Sequence, residues 1–175
     1  MKKTTVFLVF FSMMLTACQS IETPQPTPSL EDKKPVKVQT HAPIIGGVER
    51  VYIEDMKTAF HARIDTGAET SSIDVQNITP FERDGEKWVA FELVNRSSGE
   101  KVKVEKPVKR KTTIKRTDNR EKRYVVRLKV RMGKNNITAE FSLNDRSKFD
   151  YQALIGRNII TGRYLVDTSL SNTLR

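Results

Sequence analysis

One acidic residue, Asp65, stands at the end of an apolar segment and is followed directly by Thr66 and Gly67. A carboxylate activates water when its protonation is controlled, and two carboxylates that share one site control each other because they cannot both ionise comfortably. Such a site needs a tight backbone, hence glycine, and a hydroxyl that holds two loops together, hence threonine. The triplet therefore indicates hydrolysis by paired aspartates, although Asp-Thr-Gly alone is a weak pattern.

A second segment, Ala153 to Gly162, reads ALIGRNIITG and lies far downstream of the first, with strand-like segments between them. In this order, ARIDTGAETSSI and the second segment resemble the active-site segments of the retropepsins, the retroviral class of aspartic peptidases. More narrowly, IDTGAETSS, RDGEKWVAFE, NDRS and LIGRNIITGRYLVD resemble a bacterial retropepsin-like family that includes the RimB peptidases and is often labelled as ATP-dependent zinc proteases. The resemblance covers roughly residues 44–170.

The resemblance implies roles for individual residues. Asp65 corresponds to the catalytic aspartate, Thr66 to the threonine whose hydroxyl grips the partner loop, and Gly67 to the glycine that lets substrate approach the backbone. The residues that correspond to the structural support of the site are Ala68, Glu69, Gly156, Arg157 and Asn158. Glu69 stands where retropepsins often have aspartate, and Arg157 matches the arginine that pairs with it, so we expect an ion pair between these two.

One domain supplies one Asp-Thr-Gly, whereas the mechanism needs two carboxylates. Asp167 is an internal candidate, because it begins an Asp-Thr-Ser triplet and this replaces Asp-Thr-Gly in some aspartic peptidases. It lies only a few residues after the second segment, and a two-lobed enzyme needs about twice this chain for a second core. We therefore expect Asp167 to be structural and the active form to be a two-fold homodimer that brings two copies of Asp65 together.

The sequence offers little for metal or nucleotide chemistry. Its histidines are His41 and His61, Cys18 is its single cysteine, and it has neither an HExxH pattern nor a Gly-rich phosphate-binding loop. We therefore expect no metal and no cofactor, and we interpret His61 as an ordinary strand residue.

The N-terminus predicts export. Residues 1–17 hold a basic start and a short apolar run, too short to span a membrane comfortably, and are predicted to be a lipoprotein signal peptide. The residues LTAC resemble the bacterial lipobox, which implies lipidation of Cys18; an incidental cysteine in a secreted protein is the alternative. Gln19 resembles the pattern of lipoproteins sent to the outer membrane. The expected location is therefore the periplasmic side of that membrane, with the protein held there by its lipid anchor.

Composition divides the remaining chain in two. Residues 18–43 hold five of the seven prolines and no glycine, so we expect an extended tether after the lipidated cysteine. Residues 44–175 are long enough for one domain with one core. Strand-like segments are GGVERVYI, FHARID, SSIDV, KWVAFELVN, KVKVEKPV, RYVVRLKVRM, NITAEFSLN and RYLVDT. With the resemblance, they predict an all-β fold: a small closed barrel of the retropepsin type with one short C-terminal helix.

Positive charge is concentrated in one segment. The chain has a formal net charge of +10, and residues 101–131 alone hold fourteen Lys or Arg against three acidic residues. Within this segment, Lys106 to Arg123 corresponds to the flap hairpin of retropepsins, but it has no glycine. The residues expected to contact substrate are Lys109, Arg110, Lys111, Lys115 and Arg116. A solvated hairpin, or one resting on anionic lipid, is the alternative, and nucleic acid is not expected because aromatic residues do not alternate with the basic ones.

Two functions remain. The first is a homodimeric aspartic endopeptidase that hydrolyses peptide bonds of a protein or peptide, with an acidic substrate favoured by the basic hairpin; in the RimB relatives the substrate is a glutamate-rich tail. The second is a retropepsin-fold binding lipoprotein, catalytically weak or inactive, that holds an acidic partner through the same hairpin. The intact Asp65-Thr66-Gly67 favours the peptidase, and the flap without glycine favours the binding protein.

Overall fold

The computed structural model describes residues 42–115 and 120–174, and for Ile114, Lys115 and Arg120 it describes the backbone alone. The predictions for the signal peptide, for Cys18 and for most of the tether therefore lie outside the described residues. Within the described ranges, no helix has both the length and the apolar character needed to cross a membrane.

The described residues form twelve strands and one short helix. In chain order they are β1 (Ile44–Ile45), β2 (Val48–Ile53), β3 (Phe60–Ile64), β4 (Ser71–Asp74), β5 (Gln76–Arg83), β6 (Glu86–Val94), β7 (Lys101–Pro107), β8 (Arg110–Lys115), β9 (Arg120–Met132), β10 (Asn135–Asn144), β11 (Ala153–Ile155), α1 (Arg157–Ile160) and β12 (Leu165–Val166).

Six of these strands close into a barrel in the order β10-β4-β11-β3-β2-β9, and β9 pairs back onto β10 to complete it. Two neighbouring pairs, β10 with β4 and β11 with β3, run parallel. The long strand β9 pairs with β8 through its first part and with β10 through its second part, so the β8–β9 hairpin extends the wall of the barrel. The predicted all-β barrel with one short helix is confirmed.

The core follows from the alternation of apolar and polar residues along the strands. In β3, Phe60, Ala62 and Ile64 are buried while His61 and Arg63 are exposed. Such alternation gives each strand one face for the core and one for water, and removal of the apolar face from water stabilises the closed barrel.

A second sheet, β5-β6-β7, covers one side of the core. Val89, Phe91 and Leu93 of β6 and Val104 of β7 belong to the same buried cluster as the barrel residues. Strand β5 was not among the predicted strands, because nearly all of its side chains are exposed and it therefore lacks alternation. An edge strand is determined by pairing with its neighbour rather than by burial.

One buried carboxylate attaches the C-terminal segment to the barrel. Glu49 is 0% exposed and accepts hydrogen bonds from the backbone N–H groups of Gly46 at 2.7 Å, Thr173 at 3.0 Å and Leu174 at 3.2 Å, and from the Thr173 hydroxyl at 2.7 Å. Burial acts to raise the pKa of Glu49, but these donors outweigh it and lower the pKa. A Cβ atom at Gly46 would overlap the backbone of Leu170, so glycine permits this close approach.

The attachment of the C-terminal segment makes stability depend on pH. Because the folded-state pKa of Glu49 is lowered, its stabilisation is present above the unfolded pKa and is lost as pH falls through the folded pKa. Glu49→Gln should lower the free energy of unfolding at pH 7 by roughly 1–3 kcal/mol. Urea unfolding from neutral to acidic pH should show this difference shrinking as pH falls, whereas the exposed control Glu86→Gln should match wild type throughout. A difference that is the same at every pH would contradict this role.

Candidate active site

The loop after β3 presents Asp65. Its backbone N–H donates to the Ile155 carbonyl in β11 at 2.9 Å, which joins the start of the loop to the barrel. Its Oδ1 accepts hydrogen bonds from the N–H groups of Gly67 at 2.9 Å and Ala68 at 3.1 Å. Among the described residues no donor contacts Oδ2, so one oxygen of the carboxylate is held while the other is available to water or to a second carboxylate.

The first residues of α1 hold the following part of this loop. The N–H of Arg157 donates to the Ala68 carbonyl at 2.8 Å, and the N–H of Asn158 donates to the Glu69 carbonyl at 3.1 Å. A Cβ atom at Gly156 would lie 2.9 Å from the Ala68 carbonyl oxygen, so glycine is required for the approach. The structure thus brings together all five residues expected to support the site.

Arg157 has a different partner from the expected one. Its Nη1 donates to the carbonyls of Thr66 at 3.0 Å and Gly67 at 2.7 Å, and the ion pairs among the described residues do not include Arg157 with Glu69. The expected ion pair is therefore wrong. Two backbone carbonyls already accept hydrogen bonds from Nη1 of Arg157, and an exposed ion pair adds little free energy in water.

Asn158 and Ser71 connect three elements beneath the loop. The Asn158 Oδ1 accepts from the N–H of Ser71 at 3.0 Å and from its hydroxyl at 2.8 Å, while the Asn158 amide donates to the Glu140 carbonyl at 2.8 Å. The Ser71 hydroxyl also accepts from the Gly156 N–H at 3.0 Å. Sequence reasoning missed Ser71; the available signal was its place in the hydroxyl-rich segment after Asp-Thr-Gly.

The predicted flap corresponds to the hairpin of β8 and the first part of β9, with pairing from Arg110 opposite Val125 to Lys115 opposite Arg120. Its predicted start at Lys106 is wrong, because Lys106 lies in β7, where it forms an ion pair with Glu54 at 3.0 Å. Residues 116–119 lie outside the described residues.

The five basic residues expected to contact substrate do not share one environment. Arg110 donates through Nε to the Glu140 carboxylate and through Nη2 to the Thr70 hydroxyl, each at 3.1 Å, and so links the base of the hairpin to the Asp65 loop. Lys109 is exposed, and the exposed Lys111 has its Nζ 4.9 Å from the centre of the Tyr124 ring. Arg116 and the side chain of Lys115 lie outside the described residues.

A groove of about 620 Å³ lies between the hairpin and the residues that follow Asp65. Residues 68–70 line it from the loop, Arg110 and Arg123 line it from the hairpin, and Arg146 lines it from the segment after β10. This volume is within the range of sites that bind small ligands or a few side chains. Sequence reasoning did not assign Arg123 and Arg146 to the site. The available signals were that Arg123 ends the predicted flap and that Arg146 lies in the segment NDRS.

Asp167 has local partners. Its carboxylate accepts from the Ser169 hydroxyl at 2.6 Å and from the Ser169 N–H at 2.9 Å, and these two bonds lower the pKa of Asp167. Such a turn is a common structural use of aspartate. His61 lies exposed on β3, and within the part of the chain that the structure describes no three His, Cys, Asp or Glu side chains cluster closely enough to hold a metal ion.

The partner of Arg157 can be tested by stability. Arg157→Met removes the hydrogen bonds to the Thr66 and Gly67 carbonyls and should lower the free energy of unfolding by about 1–2 kcal/mol. Glu69→Gln should change it by less than about 0.5 kcal/mol, since the Glu69 carboxylate has no ion-pair partner among the described residues. Chemical unfolding of the two single variants and of the double variant measures these changes. Equal losses in the two single variants, with no further loss in the double variant, would show that the two side chains interact and would support the ion pair.

Comparison with known proteins agrees with this geometry at the level of the family. Residues 44–174 match the RimB-like family, described as retropepsin-like aspartic endopeptidase RimB. The crystal structure of a Legionella pneumophila protein of unknown function is similar, with a TM-score of 0.65 and 29% identity over 76% of this chain and 98% of that one.

The curated relatives are named as ligases, whereas the family is described as a peptidase. The chain is 40% identical over 116 residues to a probable alpha-L-glutamate ligase of Shewanella pealeana, and 36% identical over 121 residues to one of Desulfotalea psychrophila. These matches cover 65% and 66% of this chain but 25% and 26% of the relatives, so the chain spans about a quarter of their length. With the family match over nearly the whole described domain, the chain belongs to the RimB-like family of retropepsin-like aspartic endopeptidases.

Proposed function

We propose that this protein is an aspartic endopeptidase that hydrolyses peptide bonds with the Asp65 carboxylates of two subunits. The observation that carries the proposal is the state of Asp65: two backbone N–H groups hold Oδ1, while Oδ2 has no donor among the described residues. The groove beside the loop offers space for substrate side chains.

In the proposed reaction the two carboxylates share one proton. The ionised Asp65 takes a proton from a water molecule, and the water oxygen attacks the carbonyl carbon of the substrate peptide bond. The protonated Asp65 of the partner subunit donates its proton to the carbonyl oxygen as negative charge develops there. The carbon–nitrogen bond of the tetrahedral species then breaks: the first Asp65 gives the proton that it took from water to the amide nitrogen, and one hydroxyl of the tetrahedral species gives a proton to the partner's Asp65. This releases the two products and restores the shared proton.

A homodimer supplies the second carboxylate, because a two-fold axis places a residue opposite its own copy. The paired terminal strands β1 and β12 expose Ile44 at 51% and Leu165 at 43%, and Leu170 beside them is 42% exposed. Large apolar side chains exposed close together are typical of association surfaces. This edge is therefore the proposed contact between subunits.

The proposed substrate is an acidic protein or peptide. Arg110, Arg123 and Arg146 all line the groove, and the ligases to which the chain is similar have glutamate in their names. The proposed location, the periplasmic side of the outer membrane with a lipid on Cys18, has its support in the N-terminal sequence pattern.

A second candidate is a binding domain that holds an acidic partner with little or no hydrolysis. Arg110 favours it, because its bonds to Thr70 and Glu140 hold the hairpin against the Asp65 loop and narrow the access to the groove. The relatives also favour a binding domain, since the region that matches this chain forms about a quarter of proteins named as ligases.

The role of Asp65 can be tested by a nearly isosteric change. Asp65→Asn cannot accept a proton from water, so cleavage of acidic peptides should fall by about 10²–10⁴-fold while the melting temperature is unchanged. Mass spectrometry of peptide digests measures the cleavage. Asp167→Asn is the matched control and should retain activity. Persistent cleavage by the Asp65→Asn protein would exclude the aspartic mechanism, and complete inactivity of wild type towards every peptide would favour the binding domain.

Subunit mixing tests the shared site. In an equal mixture of wild-type and Asp65→Ala subunits, only dimers of two wild-type subunits keep both carboxylates, so activity should be about one quarter of that of wild type alone. A mixture with Asp167→Asn subunits serves as the control and should show no such loss. Activity that follows the wild-type fraction linearly would show that one chain suffices.

A further inference from the structure

Two arginine side chains of the groove are almost completely buried. Arg123 is 8% exposed and Arg146 is 7% exposed, and both line the groove beside the Asp65 loop. Removal of a cation from water is unfavourable, so buried arginines in proteins are normally paired with carboxylates or fully hydrogen-bonded. Among the described residues, Arg123 has a carboxylate partner but keeps one unsatisfied donor, and Arg146 has no carboxylate partner.

Arg123 is partly satisfied. Its Nη2 donates to the Glu121 carboxylate at 2.6 Å, but its Nε is a buried donor without a hydrogen-bond partner among the described residues. The buried hydroxyl of Ser72, which also belongs to the lining of the groove, has no hydrogen-bond partner within the described part of the chain either. Buried polar atoms without partners are rare in folded proteins and call for an explanation such as a ligand.

Arg146 forms no ion pair with a described carboxylate. Its Nε donates to the Tyr151 carbonyl at 3.0 Å, and its guanidinium carbon lies 4.5 Å from the centre of the Phe149 ring. In the described ranges of the chain, its two terminal nitrogens donate to no acceptor and no carboxylate lies within ion-pair distance. Burial and then the charge of Arg123 lower the pKa of Arg146, and Asp74 and Asp65 oppose this only in part.

The other charged residues of the groove do not neutralise the Arg146 guanidinium. Glu140 is already paired with Arg110, and the exposed Glu69 forms no ion pair with a described residue. A positive charge therefore remains at the buried side of the groove. Guanidinium groups bind carboxylates through two parallel hydrogen bonds, which makes a carboxylate the ligand that fits best.

We propose that Arg123 and Arg146 form a carboxylate-binding subsite in this groove, which binds one carboxylate of the peptide substrate, from a glutamate or aspartate side chain or from the C-terminus. The subsite rests on the proposed peptidase function and names the residues that select its substrate. It is distinct from the exposed Lys109 and Lys111, which attract anions from solution without a defined geometry.

A direct test observes the arginines themselves. The full chain with Asp65→Asn, which is not expected to hydrolyse peptides, is labelled with ¹⁵N, and its Nε–H resonances are assigned with Arg123→Lys and Arg146→Lys. It is titrated with capped tetraglutamate, capped tetraglutamine, and tetraglutamine with a free C-terminus. Shifts of both resonances with the first peptide identify a side-chain carboxylate, and shifts with the third identify a C-terminal one. Capped tetraglutamine should shift neither; if no peptide shifts them at millimolar concentration, the subsite does not exist.

A matched pair of variants separates the subsite from general attraction. Arg123→Gln should weaken binding of the carboxylate peptide by about tenfold or more, because a charge-assisted hydrogen bond is lost. Lys122→Gln removes the same charge at the neighbouring, exposed position and should change binding less than about twofold. Equal weakening by both would overturn the proposal. If the shifts and the variants behave as expected but the wild-type protein cleaves no peptide, the subsite stands and the peptidase proposal fails. If the wild-type and Arg123→Gln proteins both cleave acidic and neutral peptides equally well, the peptidase proposal stands and the subsite proposal fails.

Discussion

The site depends on one close contact, between the loop after β3 and the start of α1. Because β3 and β11 are parallel neighbours, both segments leave the barrel at the same edge and side by side. Gly156 allows the helix to approach the Ala68 carbonyl, and two backbone hydrogen bonds then connect the helix to the loop. Within this loop the Asp65 carboxylate is held by the backbone N–H groups of Gly67 and Ala68, which are more rigid than side chains and suit the precise placement that the proposed reaction needs.

The two sides of the groove are held with different strength. The loop side is fixed by backbone hydrogen bonds and by the half-buried Asn158 and the buried Ser71. The hairpin side is held to the loop by Arg110, whose pair with Glu140 is substantially exposed, and such pairs contribute about 0–1 kcal/mol. The contact between hairpin and loop is therefore weaker than the backbone contacts that fix the Asp65 loop itself.

Electrostatics connects the proposed chemistry with the proposed substrate. The buried arginines of the groove lie where little water screens them, so their interaction with a carboxylate is stronger than that of the exposed lysines. In the proposed mode of binding, the exposed basic residues of the segment from β7 to β9 would attract an acidic chain at a distance, and the buried Arg123 and Arg146 would select where its carboxylate binds. A glutamate-rich substrate is consistent with both, and the names of the ligase relatives point to the same amino acid.

Local features were readable from the sequence alone. Alternation predicted strands such as β3, and the resemblance of Asp65-Thr66-Gly67 and LIGRN to the retropepsins predicted the loop and helix of the site. The structure supplies the physical reason for the glycine in LIGRN, since Gly156 closely approaches the backbone of the loop. Other features of the fold and of the site depend on contacts between residues that are distant in the chain. The exposed edge strand β5 lacks a sequence signal, the partner of Arg157 depends on where two carbonyls point, and Arg123 and Arg146 meet only because β9 and β10 pair and the barrel closes. Side-chain partners are a property of packed elements, which neither spacing nor composition determines.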